Sequence, residues 1–88
     1  MPVSRNVKLS VVPSILQAEL AKREMTVTDA AALVGLTRPV FSQILHGRYA
    51  VSVPTAHLIE AAFGLKARRL LILQLDQLIA QHHEMLHR

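Results

Sequence analysis

The chain has 88 residues, a formal net charge of +4, 51% hydrophobic residues and only three aromatics, Phe41, Tyr49 and Phe63. That length suits one small domain. With no cysteine, disulfides and thiolate metal sites are excluded, so stability must come from close packing of Leu, Ile, Val and Ala or from a partner subunit.

Residues 1–11 read as an N-terminal arm, in which Val3, Val7, Leu9 and Val11 alternate with other residues as a short strand would. A first helix is predicted from Pro13 to about Glu24, because proline suits a first helical turn and Ile15, Leu16 and Leu20 mark one face. Thr26-Val27-Thr28-Asp29 is a variant capping box that opens a second helix, with Met25 as its hydrophobic staple. Ala30, Ala31, Leu33 and Val34 follow, and Gly35 closes the helix in a left-handed cap. A helix of about two turns has little stability of its own, so packing must hold it.

Thr37 caps a third helix with Pro39 in its first turn, an apolar stripe of Val40, Phe41, Ile44 and Leu45, and Gly47 at its end. Ser52 caps a fourth, whose buried face is predicted to be Leu58, Ile59, Ala62 and Phe63, with Gly64 as its stop. The fifth and longest helix spans roughly residues 67–83. Leu70, Leu71, Ile72, Leu73, Leu75, Leu78 and Ile79 cover more than the ~100° stripe that a surface helix needs. Part of that face is expected to pack on a second copy of the chain, with Leu71, Leu75, Leu78 and Ile79 at the dimer interface. The fold class is therefore all-α with five helices. Residues 12–83 form the domain, and 84–88 a frayed tail.

The second and third helices, joined by Gly35-Leu36-Thr37, have the layout of a helix-turn-helix. Ala31 is small where the two would cross, Gly35 supplies the turn, and Phe41 and Ile44 face inward. At this point the chain resembles the λ-repressor-like helix-turn-helix proteins, and in particular the HigA (VapI-type) antitoxins. The resemblance covers about residues 12–80. It is carried by Val12-Pro13-Ser14-Ile15-Leu16, Thr26 to Val34, Gly35-Leu36-Thr37-Arg38, Ser42-Gln43-Ile44-Leu45-x-Gly47-x-Tyr49, and Pro54-x2-His57-Leu58-Ile59-x-Ala61-Ala62-Phe63-Gly64. Three departures from the usual family pattern stand out. Val27 stands where Gln is frequent, Ser14-Ile15 where Gly-Glu follows the proline, and Lys66 where a capping Ser is common. The resemblance implies a λ-repressor-like fold, repression of the protein's own operon, and neutralisation of a small basic ribonuclease toxin that cleaves mRNA on the ribosome.

The residue chemistry agrees with DNA binding. A third helix entering the major groove by its N-terminal end would present Arg38 to guanine O6 and N7, and Gln43 to adenine or a phosphate. Ser42 suits either kind of base, Thr37 a thymine methyl or a phosphate, and His46 the backbone; Pro39 lies in the same first turn. Thr26 and Thr28, with the amides that open the second helix, make a phosphate site, and Arg48 and Tyr49 suit the opposite phosphate flank. Residues 26–63 are neutral overall, with Arg38 and Arg48 balanced by Asp29 and Glu60. Affinity then has to come from doubling the contacts in a two-fold dimer that reads half-sites about 34 Å apart on a palindromic double-stranded operator.

Other functions have less to stand on. No nucleophile–base pair is apparent, so no enzyme is expected. His82, His83, Glu84 and His87 have a spacing that suggests metal, but they read as a solvated C-terminal end, and no cofactor is expected. Leu70–Leu73 is far short of the ~20 apolar residues that cross a bilayer, and no targeting segment is visible, so a cytoplasmic protein is expected. Two rivals remain: a stand-alone or phage-type repressor without a toxin, and a helical module that binds only protein.

Overall fold

The computed structural model describes the backbone of residues 9–86 and the side chains of residues 9–83. Five helices account for nearly all of it: α1 (Val11–Arg23), α2 (Val27–Val34), α3 (Arg38–Leu45), α4 (Val53–Phe63) and α5 (Ala67–Leu86). There is no strand among the described residues. The expected strand of the N-terminal arm falls mostly on residues 1–8, outside the described residues, and Val11 is helical.

The local stop and start signals form as their chemistry requires. The Thr26 hydroxyl accepts a hydrogen bond from the Asp29 N–H at 3.1 Å, and Ser52 accepts one from the Thr55 N–H at 3.3 Å. Gly35 and Gly64 end α2 and α4 in the left-handed region. At the end of α3 the Gly47 N–H reaches the Ile44 carbonyl at 3.1 Å and the Arg48 N–H reaches the Gln43 carbonyl at 3.0 Å. That pair of reversed bonds is the Schellman arrangement.

Other helix ends are closed by side chains from distant helices. α1 begins at Val11, two residues before the predicted start, because the Gln77 side chain of α5 accepts both the Ser10 N–H (3.1 Å) and the Val11 N–H (3.2 Å). Pro13 is consequently buried in the first turn rather than opening it. Gln17 donates to the Leu45 carbonyl at 2.6 Å, Arg23 to the Phe63 carbonyl at 3.1 Å, and the Ala67 N–H donates to Glu60 at 2.9 Å. Glu60 thus places a carboxylate at the N-terminus of α5, where the helix dipole favours it. It does the work of the capping residue that Lys66 cannot supply.

The core gathers Val12, Leu16 and Leu20 of α1, Ala30, Ala31 and Val34 of α2, Phe41, Ile44 and Leu45 of α3, Ala56, Ile59 and Phe63 of α4, and Ala67 and Leu70 of α5. α1 packs on α3 and α5, α2 on α3 and α4, and α4 on α5. Two predicted inward residues point outward. Leu58 is exposed because α4 turns Ala56, Ile59 and Phe63 to the core, and Val40 is exposed because α3 is anchored by Phe41, Ile44 and Leu45. α5 continues to Leu86, three residues past its predicted end and into the expected tail. None of the described helices is long and apolar enough to cross a membrane.

Candidate nucleic-acid interface

α2 and α3 are joined by a short turn and pack on each other, with Ala31 and Val34 facing Phe41 and its neighbours in one core. Because α3 spends Phe41, Ile44 and Leu45 on that core, its remaining side chains form an outward edge. Arg38, Pro39 and His46 are exposed, and Ser42 and Gln43 are half-buried between them. This edge carries no acidic residue.

Thr37 is exposed at the N-cap, and its hydroxyl oxygen accepts from the Val40 N–H at 3.4 Å. Its hydroxyl proton is left to donate outward. Arg38 follows in the first position of α3, where a cation opposes the helix dipole. It makes no hydrogen bond or ion pair among the described residues, so its guanidinium is available to an external acceptor. Two turns on, His46 Nδ1 lies 2.7 Å from the Ser42 carbonyl oxygen and 3.4 Å from the Ser42 hydroxyl. The carbonyl can only accept, which assigns the proton to Nδ1 and leaves Nε2 facing outward.

The segment after α3 adds a second cation. Arg48 and Tyr49 are exposed, and Arg48 donates to the Gln43 side-chain oxygen at 3.3 Å. Gln43 and Arg48 therefore form a pair across the end of α3. The glutamine keeps its NH2 group for another acceptor, and the arginine keeps most of its donors. Thr26 and Thr28 are both exposed at the start of α2. Asp29 is exposed in the same turn and already complements the dipole there. Asp29 shares that turn with the two threonines, whereas the exposed cations Arg38 and Arg48 stand along α3 and the segment after it.

The predicted dimer residues do not form one uniform surface. Leu75 and Ile79 are 54% and 56% exposed, whereas Leu71 and Leu78 are half-buried and Leu71 packs partly on the core. Ile72, 45% exposed, lies on the outward line with Leu75 and Ile79 at helical spacing of three and four, although it was not among the predicted interface residues. On the same helix His82 and His83 are exposed, while the side chain of Glu84 and all of His87 lie outside the described residues.

Sequence reasoning did not find the residues that hold this edge in place. Gln17 of α1 ties down the last carbonyl of α3, and Gln74 of α5 is bonded to Val51 beyond Tyr49. A glutamine in a helix carries no local signal that its amide is spent on backbone 28 or 23 residues away. Compared with known proteins, the chain matches no protein family, no curated protein and no solved structure.

Proposed function

We propose that this chain is a dimeric, sequence-specific DNA-binding repressor with a λ-repressor-like fold, in which α2 and α3 are the helix-turn-helix and α3 is the reading helix. The observation that carries the reading is the outward edge of α3: an unpaired Arg38 at the N-terminal end, then Ser42, Gln43 and His46, on a helix whose other face is locked in the core. A reading helix needs that combination of an open polar edge and a rigid back. Arg38 is the main base reader, with bidentate bonds to guanine. Thr37, Ser42 and Gln43 add contacts to bases or phosphates, and Arg48, Tyr49 and His46 hold the phosphate flank.

The near-neutral middle of the chain makes one copy a weak binder, so two copies act together. The exposed line of Ile72, Leu75 and Ile79 on α5 supports pairing through that helix. That exposed line would also suit a helical module that binds only protein; the unpaired Arg38, set against a helix dipole, favours the DNA-binding reading.

The more specific reading is the antitoxin of a type II toxin–antitoxin pair, acting in the cytoplasm with a small basic ribonuclease as its partner. It rests on the resemblance of residues 12–80 to HigA antitoxins. The test has two arms. The purified chain is titrated into a labelled duplex of the DNA immediately upstream of its own coding region, with a scrambled duplex as control. The chain is then co-expressed with its neighbouring gene and pulled down. Tight, sequence-dependent binding together with capture of a ribonuclease is the expected result. Specific binding without a captured ribonuclease identifies a stand-alone repressor, and equal binding to both duplexes removes sequence-specific recognition altogether.

A further inference from the structure

α5 faces two ways. Its outward line is Ile72, Leu75 and Ile79, while Gln74 and Gln77 point into the protein. Gln74 is the one buried polar side chain among the described residues. Its amide grips Val51 at both backbone groups: the Val51 N–H donates to Oε1 at 2.7 Å, and Nε2 donates to the Val51 carbonyl at 2.8 Å.

The chemistry of that grip is restrictive. Val51 is itself buried between α3 and α4, where no helix or strand supplies partners for its N–H and carbonyl. Buried backbone groups need partners. A leucine at 74 would satisfy neither. A glutamate would accept from the N–H and set its charge against the carbonyl oxygen. A side-chain amide, turned the way it stands here, meets a donor and an acceptor at once without carrying charge.

Val51 also ends a short exposed span. At its other end the Gly47 carbonyl accepts from the Leu9 N–H at 3.2 Å, and the Arg48 N–H is bonded back to Gln43 at 3.0 Å. Between these anchors stand Arg48, Tyr49 and Ala50, all exposed. The cation and the aromatic at the end of α3 are thus suspended between two fixed points, and one of them is α5.

We propose that Gln74 is a positioning residue for nucleic-acid binding: it fixes the span that presents Arg48 and Tyr49 and ties that span to the helix whose other side pairs the two copies. The inference rests on the DNA-binding reading above. It adds that the pairing helix and the phosphate-flanking span move as one body, so that whatever displaces α5 also releases Arg48.

The experiment compares the wild type, Gln74→Leu, Arg48→Ala and the double variant. Each is titrated into the upstream duplex over a range of salt concentrations. A protein–phosphate contact contributes about 0.9 to the slope of log affinity against log salt. Gln74→Leu is expected to flatten the slope by about as much as Arg48→Ala, and the double variant to flatten it no further. A wild-type slope in Gln74→Leu, or losses that add in full, overturns the proposal. Failure of the wild type to bind the duplex would instead sink the DNA-binding reading. Should Gln74→Leu fail to fold by circular dichroism, backbone relaxation of the wild type decides. Amides 48–50 as rigid as those of α4 agree with the proposal, and helix-exceeding motion there refutes it.

Discussion

Gly47 sits so close to Leu9 that a Cβ at position 47 would overlap the Leu9 carbonyl oxygen. Its φ of +75° adds a second reason for glycine. Left-handed backbone costs a residue with a side chain about 1–2 kcal/mol, and forcing extra atoms into a packed site costs about 1–3 kcal/mol more. Gly47→Ala is therefore expected to destabilise the domain by about 2–5 kcal/mol in urea unfolding. Gly35, at φ +94°, has open space where its Cβ would be. Gly35→Ala is expected to lose only the backbone share, about 1–2 kcal/mol. Equal losses at the two positions would mean that the Leu9 contact carries no weight.

Arg38→Ala separates reading from folding. Specific affinity is expected to fall by about 1–3 kcal/mol and preference at one base position to relax, as measured by binding to a library of single-base operator variants. Stability should be unchanged or rise slightly, by about 0.3–1 kcal/mol, because the substitution removes a cation from a helix N-terminus. Unaltered affinity and base preference would assign the reading to other residues.

Leu75→Lys with Ile79→Lys tests the pairing helix. Both side chains are exposed within one copy, so the charges can be accommodated in the monomer. A folded monomer with weakened DNA binding is expected by light scattering and fluorescence anisotropy. Retention of the dimer would move the interface elsewhere.

Glu19 gives a pH-dependent prediction. The hydrogen bond from Arg23, at 2.6 Å, holds the Glu19 carboxyl below its ordinary range, with the charges of Arg23 and Lys22 adding to the effect and desolvation opposing it. A carboxylate whose value is lowered by folding stabilises the fold above its unfolded value, and that contribution disappears as pH falls through the lowered folded value. Glu19→Gln should thus be slightly less stable than wild type at neutral pH and indistinguishable from it in strong acid, followed by thermal unfolding across the pH range. Arg23→Ala should cost more than Glu19→Gln, because Arg23 also caps the Phe63 carbonyl and lies 5.1 Å from the centre of the Phe63 ring.

Much of this fold is written in short-range signals. Thr26, Thr37 and Ser52 each bond an amide three residues ahead, and Gly35, Gly47 and Gly64 adopt the left-handed angles that end their helices. Such pairings are legible because cap and partner lie within one turn. The start of α1 was not legible in the same way: its cap comes from Gln77, 66 and 67 residues distant. Burial was read less well than helix position. The apolar residues Leu58 and Val40 fit a stripe by composition, yet both are exposed: the core takes Ala56, which was not predicted, where a small residue allows closer helix approach, and the predicted Phe41, whose ring fills the space beside Val40. The outward edge of α3 was readable residue by residue. What holds Arg48 and Tyr49 was not, since Gln74 meets Val51 only after five helices have packed.

The long-range caps make the helices mutually dependent. α1 opens on a glutamine of α5, α3 closes on a glutamine of α1, α4 closes on an arginine of α1, and α5 opens on a glutamate of α4. Neither α1, α4 nor α5 can peel away without stranding another helix's amides or carbonyls, so these three are expected to melt together. Clipping the chain ahead of Gln74 should therefore cost the whole domain its shape, and a protease that trims α5 would silence it in one stroke.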